Sequence, residues 1–464
     1  MRELTKGSPA KVIMTFALPI IFGNLLQQLY NLADGKIVST YVGTQAFAAV
    51  GATAVIANLI IGFVNGVTQG FGIPISRCFG AGDYKNMRRY VAGSFIMTVA
   101  MTLILTVGAL LGIEGLLHIL DTPADIMEEA LQYIRIIIMG TAFISLYNYS
   151  ANILRAVGES RIPLLCLVVA VILNIFLDIL FVHTFSMGLR GAAHATNIAQ
   201  CIAGVLCMAY LLFRFRELVP KGQEWQVQRR KYQEMTVFGI SLGMMSCFVS
   251  IGTVIFQTAV NRLGTKIVTA HIAARRIEEL TNVPMLCTGM AMTTYASQNL
   301  GAGEYDRIKK GIHQAFVIVL VQGVIFTTFC WIFGYPLIRW ITSSNDTYIL
   351  DTAYRYLTRN TSFYFVLGPL FVLRCSLQGL EHKVIPVASS ILELVLKIVS
   401  TIWIVPVLGY TGVIYTEPII WIFMTLMLIG GYVRALKQIN EAEHIKSARN
   451  TKAENEKINV DNRL

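Results

Sequence analysis

The chain has 464 residues, of which 55% are hydrophobic and only 14% charged, and its net charge is +11. Soluble domains use about 25% charged residues to coat their surface, so this composition weighs against a soluble enzyme and against a disordered scaffold. The positive balance does not point to nucleic acid, because its placement along the chain has another cause.

Apolar stretches of about 20 residues, long enough to cross a bilayer's hydrocarbon core, recur from end to end. The first, 12–35, follows Arg2, Lys6 and Lys11 as a secretory leader would. It is long and no small-residue cleavage site follows closely, so it reads as a first spanning helix. Stretches 46–73, 90–112, 130–152, 162–184 and 189–213 complete a first set of six. A polar segment with Pro220 and Gly222 follows. The second set is 236–262, 267–296, 311–334, 352–376, 385–407 and 410–434. Residues 435–464 are polar and mixed in charge, and are expected to form a partly disordered tail. The expected fold is all-α and integral to the membrane, with 12 transmembrane helices in two six-helix bundles related by pseudo-two-fold symmetry. The N-lobe is 1–213, a cytoplasmic linker 214–234, the C-lobe 235–434 and the tail 435–464.

Most Lys and Arg fall on one side of these spans, as Arg77, Lys85, Arg88 and Arg89 do in one loop and Arg229, Arg230 and Lys231 in another. The opposite ends carry Lys36, Arg190, Arg262, Lys266 and Arg339. Basic loops stay cytoplasmic, so both termini are expected in the cytoplasm and the chain in the inner membrane. The chain also repeats itself. FGAG at 79–82 returns as LGAG at 300–303, VGT at 42–44 as LGT at 263–265, and LRAVGESRIP at 154–163 as LQGLEHKVIP at 377–386. An even number of helices per repeat leaves both halves the same way up, a plan found in transporters with a midplane site.

Other signals read as packing. The eight cysteines show no CxxC or zinc spacing and suit buried thiols. GISLG at 239–243 matches GxSxG but opens an apolar helix instead of a strand-turn-helix elbow. Gly62, Gly66 and Gly70 are spaced for close helix approach. Neither a Walker A sequence nor HExxH occurs.

Acids inside spans are costly and are functional candidates. Asp34 shares a helical face with Gln27 and Tyr30, Asn174 and Asp178 are four apart on helix 5, and helix 6 offers Thr196 and Asn197. Such an all-oxygen set suits a proton or a hard cation. Two carboxylates meeting in a dry pocket cannot both ionise cheaply, so one is suited to load and release a proton. In the second half, Ile255 and Lys397 stand where Asp34 and Asn174 do, and Glu417 aligns with Thr196. Glu393 and Lys397, four apart, and the run Arg275, Arg276, Glu278 and Glu279 read as mutually neutralising ion pairs.

On Tyr30–Asn31 and Asp34 with Val42–Gly43, on both GAG turns, on Arg155 to Gly158, and on Asn174, Asp178, Gly188, Gly191 and Thr196, the sequence resembles the multidrug and toxic compound extrusion (MATE) transporters over about 1–435. The resemblance implies two bundles around a V-shaped cavity and export of amphipathic, often cationic compounds against H⁺ or Na⁺. It implies an ion site at Asp34, Asn174, Asp178 and Thr196 with a polar shell of Gln27, Tyr30, Asn31 and Asn148. Adaptable cavity side chains are expected from Met139, Phe143, Tyr147, Met244, Met245, Met285 and Met290. No cofactor is expected, and no metal beyond Na⁺ at the coupling site. The expected partners are small organic compounds, the coupling ion and lipid, with no nucleic acid, and the chain is expected to act as a monomer. The alternative is a lipid-linked saccharide flippase of related architecture, which calls for more cations in its cavity.

Overall fold

A computed structural model describes residues 3–120 and 122–461, with side chains described to His444 except at Thr44. Among these residues the chain is helical throughout, without strands. The helices, in order, are α1 (Pro9–Tyr41), α2 (Thr44–Gly80), α3 (Tyr84–Ile119), α4 in two halves (Ala124–Met139 and Thr141–Ala156), α5 (Arg161–Asp178) and α6 (Gly188–Arg214). The second half holds α7 (Arg229–Asn261), α8 (Thr265–Ala302), α9 (Tyr305–Thr342), α10 in two halves (Thr347–Thr361 and Tyr364–Gly379), α11 (Val384–Val399) and α12 (Tyr410–Asp461). Ten of these spans are long and apolar enough to cross a membrane by hydropathy alone. Of the other two, α8 carries Arg275, Arg276, Glu278 and Glu279, which dilute its hydropathy, and α10 is broken into halves of 15 and 16 residues. Large apolar side chains face outward, as Leu111 and Val407 do at 83% and 81% exposure, which suits lipid and not water.

The halves match in their irregularities. α4 breaks at Gly140, where a Cβ would lie 1.8 Å from Asn197 Oδ1; Asn197 Nδ2 donates to Ile136 O at 2.6 Å, next to the break. α10 breaks at the matching place, and Asn360 Nδ2 donates across to Ile414 O at 3.1 Å. α5 runs into a π-turn at Ile179–Thr184, and α11 into one at Ser400–Ile404. Such widened turns frequently mark functional positions in helices.

Packing ignores the sequence boundary between the lobes. Leu4, Ile13, Phe16 and Ile20, on or before the first half of α1, sit in one core cluster with Met285, Tyr295 and Tyr364 of the C-lobe. Tyr30 and Val38, further along α1, join N-lobe clusters. Conversely Met235, at the start of α7, packs in the N-lobe with Phe71 and Met87. Each half therefore lends the start of its first helix to the other half. At the basic-loop end the lobes interlock. At the opposite end the clusters around Ile113 and Ile134 and around Tyr356 and Val413 are separate. The result is a cleft that opens away from the basic loops.

The interlock depends on glycine. On α2, a Cβ at Gly66 would meet Leu242 O at 2.6 Å, and one at Gly70 would meet Phe238 O at 2.6 Å. Gly239 and Gly243, the two glycines of GISLG, lie on α7 and accept Phe71 and Val67 of α2 at 2.6 and 2.7 Å from where their own Cβ atoms would be. Further along, a Cβ at Gly80 would sit 1.9 Å from Gln298 O, and one at Gly301 2.0 Å from Arg77 O. The repeated GAG thus has a physical cause. Its first glycine lets the two backbones touch, and its second, Gly82 or Gly303, turns the chain at φ +70° or +69°. Arg77 ties this end, donating to Glu234 Oε1 at 3.0 Å and to Glu381.

The tail departs from expectation. The backbone stays helical to Asp461, and Lys309 Nζ of α9 donates to Glu443 Oε2 at 2.8 Å. This docking to α9 starts the extension, and helix-favouring Ala, Glu and Lys continue it; residues 462–464 lie outside the described residues. All eight cysteines are free thiols, six of them buried.

Candidate ion site and cleft

The acid cluster forms inside the N-lobe where α1, α5 and α6 meet. Asp178 is fully buried at the start of the π-turn of α5, and Asn174 stands one turn earlier at 1% exposure. With its amide oriented by its partners, Asn174 Nδ2 donates to Asp178 Oδ2 at 2.8 Å, and its Oδ1 accepts from the Thr196 N–H at 3.1 Å. The Thr196 hydroxyl shares a hydrogen bond with Tyr30 Oη at 3.2 Å. The carboxyls of Asp34 and Asp178 face each other within hydrogen-bonding reach. Asp34 Oδ1 and Asp178 Oδ1 are both enclosed, and neither meets a donor. Among the described residues no Lys or Arg pairs with either acid. Two facing carboxyls without a cation are stable only when a proton or a small cation lies between them.

The structure thus brings together Asp34, Asn174, Asp178, Thr196 and Tyr30. Gln27 lines a small cavity beside them with Tyr30, Asn174 and Thr196. Asn31 is exposed and is reached by Gln27 Nε2 at 3.5 Å, and among the described residues no hydrogen bond ties Asn148 to the cluster. Two residues escaped sequence reasoning. Gln200 lines the same small cavity; it lies four residues after Thr196 on α6, a spacing that could have revealed it. Tyr133 on α4 lies within electrostatic range of both acids, and nothing in the local sequence of α4 announces it.

The C-lobe answers the same positions differently. Lys397 Nζ contacts Glu393 Oε1 at 3.1 Å and Glu417 Oε1 at 3.2 Å, and Arg374 reaches Glu393 Oε2 at 3.6 Å. On α8, Arg275 pairs with Glu278 at 3.2 Å, and Tyr356 Oη donates to Glu278 Oε2 at 3.0 Å. The opposite charges neutralise one another in place.

The candidate cargo side chains scatter. Met290 lines a small cavity at the closed end of the cleft between α1, α2, α4 and α8. Met285 is fully enclosed in the C-lobe core. Tyr147 is buried with its hydroxyl on Pro163 O at 3.1 Å, and Met245 is buried beside Gln378. Met139 and Phe143 are exposed next to the α4 break, and Met244 is half-buried. Closed packing removes Met285 and Tyr147 from any wall of the cleft in this state.

The MatE family pattern matches residues 19–180 and again 242–403, two copies offset by the repeat length seen in the sequence. "Probable multidrug resistance protein YpnP" of Bacillus subtilis is 26% identical over 406 residues, covering 87% of this chain and 88% of that protein. "Probable multidrug resistance protein NorM" of Thermotoga maritima is 26% identical over 345 residues, 72% of each. A solved structure described as the outward-facing conformation of a multidrug resistance MATE family transporter of the MOP superfamily superposes with a TM-score of 0.85. It is 24% identical, over 95% of this chain and 98% of that one. The helices, the repeat and the family match lead to one conclusion: the chain belongs to the MATE family, whose members are membrane transporters and not enzymes.

Proposed function

We propose that this transporter is a secondary antiporter that exports amphipathic organic compounds in exchange for H⁺ or Na⁺, acting as a monomer with both termini in the cytoplasm. The observation that carries this reading is the meeting of Asp34 and Asp178 with no Lys or Arg paired to either among the described residues. With the cleft open outward, the pair takes up a proton or Na⁺ from outside, with Asn174 and Thr196 holding Asp178 in place. Neutralising the pair changes how α1 packs on α5 and α6 and releases the cargo. The lobes then rock about the glycine seam, and the ion leaves inward. Coupling needs only that ion and cargo prefer different states of one equilibrium. Relatives named as multidrug resistance proteins support the cargo class. The positive-inside bias supports the orientation. The test is efflux from proteoliposomes with a proton or a sodium gradient imposed alone. Export driven by one gradient is expected, and export that persists after both are collapsed overturns the reading.

A further inference from the structure

The cavity at the closed end of the cleft holds a cation in a setting unlike those of the C-lobe. Arg155 lies in the last turn of the second half of α4 and is half-buried on the cavity wall. Among the described residues no carboxylate lies within ion-pair distance of it. Among the described residues its hydrogen bond is from Nη1 to Asn152 Oδ1 at 3.3 Å, and its Nε is enclosed without a partner there. Asn152 is itself engaged, donating to Thr68 Oγ1 at 3.0 Å. Across the cavity stand the Gln69 amide of α2 and the Thr294 hydroxyl of α8, with Phe16 and Met290 as apolar neighbours. Among the described residues no acid lines the cavity. An unneutralised guanidinium in a partly dehydrated space favours an anion, and its planar fork fits a carboxylate or phosphate in bidentate fashion.

We propose that the cargo carries an anionic group, a carboxylate or a phosphate ester, that docks on Arg155 with Gln69 and Thr294 completing its hydrogen bonds, while its apolar body lies toward Phe16 and Met290. The inference rests on the efflux reading above and narrows its cargo to zwitterions and anions. Because α4 and α8 belong to different lobes, such a group bridges them and its hold changes as they rock.

The test uses the full chain in proteoliposomes with proton and sodium gradients imposed together. The probes are tetramethylrhodamine, which bears a carboxylate, and its methyl ester, which does not. Wild type is expected to export the carboxylate dye, and Arg155→Gln to lower that export about tenfold more than it lowers export of the ester, the loss typical of a charge-assisted hydrogen bond. Arg155→Lys keeps the charge and is expected to fall between. Dodecanoate and dodecyl phosphate serve as competitors, and the stronger of the two while Arg155 is present identifies the anion. An Arg155→Gln protein that slows both dyes alike reduces Arg155 to a helix-end residue and overturns the proposal. So does a wild type that exports the ester and ignores the carboxylate, although that result keeps the efflux reading. Movement of neither dye sinks the efflux reading itself, and the inference falls with it.

Discussion

The two lobes share a scaffold and use it for opposite electrostatic ends. In the first, helices α1 and α5 bring Asp34 and Asp178 together without a cation. In the second, the residue matching Asn174 is Lys397, which lies between Glu393 and Glu417. A buried network whose charges already cancel gains nothing from an added ion. On the antiport reading proposed above, the pair of facing carboxyls is incomplete until an ion arrives. On that reading, one fold, duplicated, separates an ion-responsive half from an ionically fixed half, and the difference lies in a few side chains on equivalent turns.

The largest effect should come from removing the incomplete half. Asp34→Asn and Asp178→Asn are each expected to reduce gradient-driven dye efflux to the protein-free background while yield and melting temperature hold. Full efflux in Asp34→Asn would remove the acid pair from the mechanism and erase the contrast between the lobes. The reverse signature is expected from Lys397→Met. It leaves Glu393 and Glu417 buried without their shared partner, a situation that costs about 3–5 kcal/mol. A marked fall in melting temperature of the purified protein checks it, and replacing Glu393 and Glu417 by Gln as well should recover much of the loss. A Lys397→Met protein that keeps its melting temperature but loses coupling would move the ion-responsive function into the second lobe.

Part of this contrast was legible in the sequence. The twelve spans, the repeat and the local C-lobe ion pairs follow from apolar run lengths, from matched segments and from acid–base residues three or four apart, whereas Arg374 joining Glu393 does not. Asp34, Asn174, Asp178 and Thr196 stood out because acids and amides are conspicuous in an oily run. The illegible part is tertiary. Nothing local shows that Leu4 to Ile20 pack in the second lobe, that Tyr133 lies within electrostatic range of both acids, or that Met285 is walled in while Met290 lines the cleft. A helix displays its faces in sequence, but which neighbour covers each face is set by how the lobes interlock. The GAG repeat was visible only as a repeat. Its cause, backbone contact between lobes, appears once Gly80 meets Gln298 and Gly301 meets Arg77.

That seam is where the lobes should behave alike, so it sharpens the comparison. A methyl group at Gly301 or at Gly80 overpacks a backbone contact, at a cost of about 1–3 kcal/mol. Gly301→Ala is expected to part the seam at the basic end and expose the buried Cys78. A maleimide reaction, in a protein whose other cysteines are replaced, should then speed up. Gly80→Ala should do the same to a similar degree. Strongly unequal rates would mean that the symmetric seam is not shared equally by the halves.

The smallest effect concerns the linker, which breaks the symmetry because it packs on one lobe. Leu218 is fully buried, and Arg88 of α3 donates to both oxygens of Glu224 at 2.8 and 2.7 Å. The hydrogen bond from Arg88 holds the Glu224 carboxyl below its ordinary value near 4.5. The sign follows from that depression. The tether is fully present above the unfolded value and is lost as pH falls through the lower folded value, so raising pH from neutrality changes nothing. Glu224→Gln should speed amide exchange across 216–227 a few-fold at neutral pH, with little change in melting temperature, as expected for a pair near the surface. Wild type should approach the variant only in acid. If exchange in the linker is unchanged by Glu224→Gln, the linker is held by Leu218 alone, and the first lobe would carry it through apolar packing without help from charge.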